Sequence, residues 1–313
     1  MTNRFTLRAA LAAGIAAAAL ISGPALARAQ VDAGVSRSPV KHLVKHIYPT
    51  VAGAVDTRNK RYLGVGNGVG PLLYGGGAVE KSPRVYLTFW GFNGKDPSGE
   101  QSRLVNFFKG VGGSGWANIQ TQYYSGAAGS ITNPGGQLGG TWNDNASTPL
   151  PVITDQQIAD EAVRAEHHFG FNPDADFFVA TPTGTGTVGF KVQYCAWHSM
   201  TTDGTRNVAF TNLPYITDAG SSCGSNNVNP GAAGTTDGIT IVGGHEYAEA
   251  VTDPDVSTGW IDASGQENGD KCAWINSGPG AARNISLSSG SFAVQSLYSN
   301  KAGTLGGCVI SYP

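Results

Sequence analysis

Thr235-Thr-Asp-Gly-Ile-Thr-Ile-Val-Gly-Gly-His-Glu-Tyr-Ala-Glu-Ala-Val-Thr252 is the stretch on which the reading of this chain turns. It opens with residues that cap helices and stops ahead of Asp253-Pro254, where proline's fixed φ and missing N–H end a helix. The pattern predicts a helix over 235–252. An i, i+4 spacing then sets His245 and Glu249 one turn apart on one face, with Glu246 beside them. A His-Glu-x-x-His helix uses this geometry to hold zinc with two imidazoles while the glutamate activates water. Here the second ligand position carries Glu249, and a carboxylate oxygen also binds zinc. His245 and Glu249 are therefore the expected metal ligands and Glu246 the expected general base. Gly243-Gly244 would suit the close approach of another backbone or a substrate. The plainer alternative is an ordinary helix whose polar face meets solvent.

A catalytic zinc needs a third protein ligand. Asp255 stands ten residues after His245, and Asp262, Glu267 and Asp270 follow in a Gly-containing acidic segment. Glu267 or Asp270 is favoured, because Pro254 restricts how the chain leaves the helix. His198 is a further candidate. Calcium is the alternative cation, since Asp253, Asp255, Asp262, Glu267 and Asp270 are hard oxygen donors, although their spacing is not that of an EF-hand loop.

Outward from this helix, strand and helix signals alternate. Arg84–Trp90 is β-branched and aromatic and reads as a buried strand, as does Asp176–Thr181. Val188–Tyr194 and Asn207–Thr211 read as shorter strands, and Phe292–Tyr298 and Val309–Tyr312 as closing ones. Helices are expected over Gln101–Lys109 and, behind a Thr154-Asp155 cap, up to His168. His167-His168 at its end suits the helix dipole better than catalysis. Ser125–Leu150, rich in Gly, Asn, Ser and Thr, reads as loop. The aromatic run Trp116–Tyr124 reads as core filling. The expected class is α+β (or α/β): one mixed sheet with packed helices over residues 71–313.

The first residues are laid out as an export signal. Arg4 and Arg8 precede the apolar run Ala9–Ile21, a Ser22-Gly-Pro break and the cleavage pattern Ala25-Leu-Ala27. Residues 1–27 are the expected signal peptide; the run is too short to span a bilayer. Residues 28–70 form a leader, read as a propeptide, an inhibitory arm or a loose terminus. Cys195, Cys223, Cys272 and Cys308 make an even set, as expected of disulfides in an exported chain. The sequence-neighbour pairs 195–223 and 272–308 are preferred. A net charge of −2 without a Lys/Arg cluster argues against nucleic acid as a partner.

Five short segments, Pro71-Leu-Leu-Tyr-Gly-Gly-Gly77, Val85-Tyr-Leu-Thr-Phe-Trp-Gly91, Cys195-Ala-Trp-His198, Asp237-Gly-Ile-Thr-Ile241 and Thr252-Asp-Pro254, together resemble the Exordium/phosphate-induced family of secreted proteins. The resemblance runs from about residue 71 to the C-terminus and implies fold and export, with no assigned chemistry. Two functions follow as expectations. One is a secreted, zincin-like metallohydrolase, read as a zinc peptidase. The other is a non-catalytic extracellular protein that binds a polysaccharide or a surface partner. Neither calls for a membrane after signal cleavage, and the oligomeric state is not legible.

Overall fold

A mixed six-stranded sheet organises the chain in this computed structural model, which describes residues 43–54, 70–126 and 129–312. The signal peptide and much of the expected leader lie outside the described residues. In chain order the principal elements are β1 (His46–Pro49), β2 (Arg84–Trp90), α1 (Glu100–Val111), β3 (Leu138–Asp144), α2 (Asp155–Phe169), β4 (Ala175–Ala180), β5 (Tyr194–Thr202), β6 (Asn207–Leu213) and α3 (Asp237–Thr252). In space the strands run β1-β5-β6-β4-β2-β3. The four from β6 to β3 are parallel, while β5 is antiparallel to both β6 and β1. Together with two disulfides this is the expected α+β arrangement.

Parallel strands are covered on both faces, so the central ones are apolar on both sides. Every residue of β4 is buried. Phe177 stacks on Tyr86, which meets Phe169 of α2. Phe178 points the other way, to Phe108 of α1, which in turn meets Tyr247 of α3. Thus α2 covers one face and α1 with α3 the other. α2 starts on a capping box between Thr154 and Gln157 and buries Ile158, Ala162 and Ala165, as its spacing predicts. α3 is different. All of its residues are buried, the condition of a helix enclosed on every side rather than one lying on a surface.

Several expectations change on this frame. α3 has no solvent-facing polar side. Gly243 and Gly244 face side chains rather than a substrate or a backbone: a Cβ on Gly244 would lie 3.2 Å from Trp116 and 3.3 Å from Phe107, and one on Gly243 3.2 Å from Leu104. The expected loop 125–150 contains β3, an edge strand whose Gly139 and Gly140 make room for the rings of Tyr86 and Phe169. Only alternate residues of that strand are partly buried, which is why composition hid it. Val188–Tyr194 is instead a turn with Val188 and Val192 exposed, and β5 begins only at Tyr194. Phe292–Tyr298 is broken at Gln295-Ser296 into strands Gly290–Val294 and Leu297–Ser299, the latter pairing with Gly307–Val309.

Both preferred disulfides are present. Cys195–Cys223 ties β5 to the turn packed on the start of α3, where a Cβ on Gly238 would overlap the Cys223 carbonyl. Cys272–Cys308 ties the acidic segment to the C-terminal strand. Closing loops of 28 and 36 residues stabilises each by about 3–4 kcal/mol in the chain-entropy picture. Among the described residues no helix is long and apolar enough to cross a membrane.

Asp176 of β4 is fully buried beside Glu80; its Oδ2 accepts from Thr211 while its Oδ1 has no hydrogen-bond partner. Burial pushes its carboxyl up to about 7. The folded state therefore holds this proton more tightly than the unfolded chain, so stability is full below about pH 4 and is lost as pH rises to about 7. Asp176→Asn keeps an acceptor for Thr211 and removes the charge. Thermal unfolding followed by circular dichroism should show a flatter loss of Tm across that window, and a higher Tm than the parent at pH above the window.

Candidate metal centre

The β1–β5 register sets His46 directly opposite His198, so both side chains leave the sheet on the face covered by α3. Their rings lie 5.6 Å apart. Tyr48, two residues on and therefore on the same face, stacks on His245 of α3 at 3.7 Å. α3 adds Glu246 and Glu249, and the turn after it adds Glu267 and Asp270.

These side chains close a ring in which imidazoles and carboxylates alternate. His198 Nδ1 is 3.7 Å from Glu249 Oε2, which is 3.0 Å from His245 Nε2. His245 Nε2 is 4.0 Å from Asp270 Oδ1, and Asp270 Oδ2 is 2.5 Å from His46 Nε2. His46 Nδ1 lies 3.0 Å from Glu267 Oε1, and Glu267 Oε1 lies 3.6 Å from His198 Nε2. Glu246 hangs on this ring through His198 Nδ1 at 3.3 Å.

Burial makes the ring an electrostatic problem. The side chains of His198, His245, Glu246, Glu249 and Glu267 are at most 1 % exposed, whereas those of His46 and Asp270 are 15 % and 10 % exposed. Four carboxylates sit there with three imidazoles, and an uncompensated buried charge is strongly unfavourable. Burial and the neighbouring Glu249 hold Glu246 well above the usual carboxylate range. Burial does the same to Glu267 against the pull of His46. For His46, burial is overcome by Glu267, Asp270 and Glu249, and its imidazole is held well above its ordinary value. His198 goes the other way, lowered by burial and by the His46 and His245 rings. The pocket demands positive charge.

Several of its atoms face that pocket with no hydrogen bond: His198 Nε2, His245 Nε2, Glu246 Oε1, Glu249 Oε2 and both oxygens of Glu267. Gln295 explains the orientation of His245. Its amide nitrogen donates to the carbonyls of Gly269 and Ser296, so its Oε1 is the atom that meets Tyr48 OH at 2.7 Å and His245 Nδ1 at 3.2 Å. His245 Nδ1 must then be the protonated nitrogen, leaving the Nε2 lone pair aimed into the ring. A fixed acceptor on one ring nitrogen sets the tautomer of an imidazole and leaves the other nitrogen as a lone-pair donor. Glu249 is fixed likewise, its Oε1 accepting the Asp270 N–H at 2.9 Å.

Of the residues expected from sequence, His245, Glu246, Glu249, Glu267 and Asp270 converge, and so does His198. Asp255 does not share these contacts; it is exposed on the turn after α3. Two other acidic residues of the calcium alternative are already engaged. Asp253 accepts the N–H groups of Ser257, Thr258 and Gly259, and Asp262 those of Ser264 and Gln266 as well as the Lys271 ammonium. His46 and Gln295 were not singled out by sequence. The alternation His46-Ile-Tyr48 was a usable signal, masked by the basic residues around it. In a separate group of Glu166, His167 and Asp203, Arg206 already bridges the two carboxylates.

No protein family, curated protein or solved structure matches the chain.

Gly269 lies against this ring: a Cβ there would sit 2.7 Å from His245 Nδ1 and 2.9 Å from Glu249 Oε1. Gly269→Ala should cost about 1–3 kcal/mol by overpacking and displace both side chains, read as a lower urea midpoint and shifted His245 imidazole NMR resonances.

Proposed function

We propose that the chain is an exported metal-dependent hydrolase, a zinc peptidase. The observation that carries this reading is two pairs of buried atoms without hydrogen bonds in one acidic ring, His245 Nε2 with Glu249 Oε2 at 3.0 Å and His198 Nε2 with Glu267 Oε1 at 3.6 Å. Imidazole nitrogens among the donors favour zinc over calcium, which takes oxygen. His46, Glu249 and Asp270, whose ligand atoms lie within 4.8 Å of one another, would hold the ion together with His245 beside Glu249, and His198 and Glu267 would adjoin it. Zinc bound there would supply Lewis acidity to polarise a substrate carbonyl. Glu246 would move the proton: its Oε1 is free of hydrogen bonds, and His198 Nδ1 at 3.3 Å steadies its other oxygen. Export is supported by the signal-like N-terminus and by two disulfides, which persist in oxidising compartments.

Elemental analysis of the purified protein should return about one zinc per chain, lost in His245→Ala. Glu246→Gln should retain the zinc and lower peptide hydrolysis by about 10²–10⁴-fold; unchanged turnover would reject the assignment of the base. Gln295→Leu, which releases the His245 tautomer, should weaken zinc binding by about 10–100-fold in a chelator competition. A well-folded chain that takes up no zinc would move support to the non-catalytic extracellular binding reading.

A further inference from the structure

The ring carries more donor atoms than one ion can use. Two sets of three side chains come close enough to hold a cation, His46, Glu249 and Asp270 in one and His198, Glu246 and Glu249 in the other, the ligand atoms of each set lying within 4.8 Å of one another. Glu249 belongs to both. Its Oε2 is 3.0 Å from His245 Nε2, on the side of the first set, and 3.7 Å from His198 Nδ1, on the side of the second. The second set is the deeper one, with no side chain more than 1 % exposed. Its atoms are not spent on other partners: Glu246 Oε1 and Glu249 Oε2 are buried without a hydrogen bond, and Glu246 Oε2 has His198 Nδ1 at 3.3 Å.

Charge points the same way. Imidazoles bind metals in their neutral form, so one divalent ion would offset only half the charge of ionised Glu246, Glu249, Glu267 and Asp270, and a second would balance it. In a buried site that difference is large. We infer that His198, Glu246 and Glu249 form a second cation site, sharing Glu249 with the first, and that zinc bound there stops hydrolysis by turning Glu246 from base into ligand. The site is the weaker of the two, with three protein donors against the four of His46, His245, Glu249 and Asp270. A carboxylate whose oxygens coordinate a cation no longer accepts a proton from water. The effect on turnover rests on the zinc-peptidase reading above; the binding rests on the donor geometry alone.

The test titrates zinc into the metal-free full chain, Glu246→Gln and His198→Asn by equilibrium dialysis, with peptide hydrolysis followed in the same samples. The parent should take up two ions per chain in two steps, and both variants should keep the first step and lose the second. Hydrolysis by the parent should rise with the first equivalent and fall about 10²-fold or more as the second fills, the loss expected when the base is removed. Whatever the level of hydrolysis in His198→Asn, a second equivalent should not lower it. With cobalt in place of zinc, ions that share a carboxylate stand about 3.5–4 Å apart; the second equivalent should then reduce the electron paramagnetic resonance signal per cobalt, whereas an ion bound elsewhere on the surface would add to it. Glu246→Gln keeps the shape of the buried side chain, so the test stands even if His198→Asn fails to fold. A parent that saturates at one zinc, or a Glu246→Gln chain that takes up two like the parent, would overturn the second site and leave the hydrolase reading intact. Two-step uptake with hydrolysis that never falls would overturn the inhibitory role. Two-step uptake with no hydrolysis at any filling would uphold the second site and remove the peptidase reading, and a parent that binds no zinc would overturn both.

Discussion

Everything in this fold answers to the need to keep four carboxylates and three imidazoles together beneath a helix that sees no solvent. Such a cluster is unfavourable unless positive charge is supplied, as protons or as a metal ion. The structure meets the demand partway. Glu246 and Glu267 are pushed toward the protonated form by burial, while the carboxylates around His46 keep its imidazole charged. The rest of the architecture keeps this arrangement in place. Gly243 and Gly244 let Leu104, Phe107 and Trp116 press α3 against the sheet, and Gly269 lets the acidic turn lie against His245.

The two disulfides belong to the same task. Cys195 is three residues from His198 on β5, and Cys272 is two residues from Asp270. Each bridge thus fixes a stretch of chain that carries a member of the ring. Gln295 adds a polar constraint of the same kind. The interruption between the two last apolar strands, which looks like a defect of the sheet, turns its amide inward to Tyr48, His245 and Gly269.

How much of this was legible in the sequence depended on whether a signal was local. α2 announced itself through the Thr154 cap and the Ile158, Ala162 and Ala165 spacing, and β2 and β4 through their β-branched and aromatic runs. The three α3 residues of the centre are readable because i, i+4 geometry is written in one turn. Glu267 and Asp270 are readable as a charged pair in a short turn. β3 was not, because a glycine-rich edge strand has the composition of a loop. Val188–Tyr194 failed in the opposite sense, since β-branched residues there serve an exposed turn. His46 was hidden for a different reason. Its role depends on pairing with β5, and nothing in Lys41–His46 specifies that partner.

His46 and Asp270 meet across 224 residues of chain, and the cluster also draws on β5, α3 and the segment at Gln295. Contacts of such wide sequence separation form late, after the loop-closure entropy of the intervening chain has been lost. The ring is therefore a record of completed folding. A chain missing either end, or caught with the sheet half-assembled, would hold the same histidines and carboxylates in solvent, scattered and individually weak as ligands. On the proposed metal-site reading, uptake of a cation would then report a finished molecule rather than its precursors.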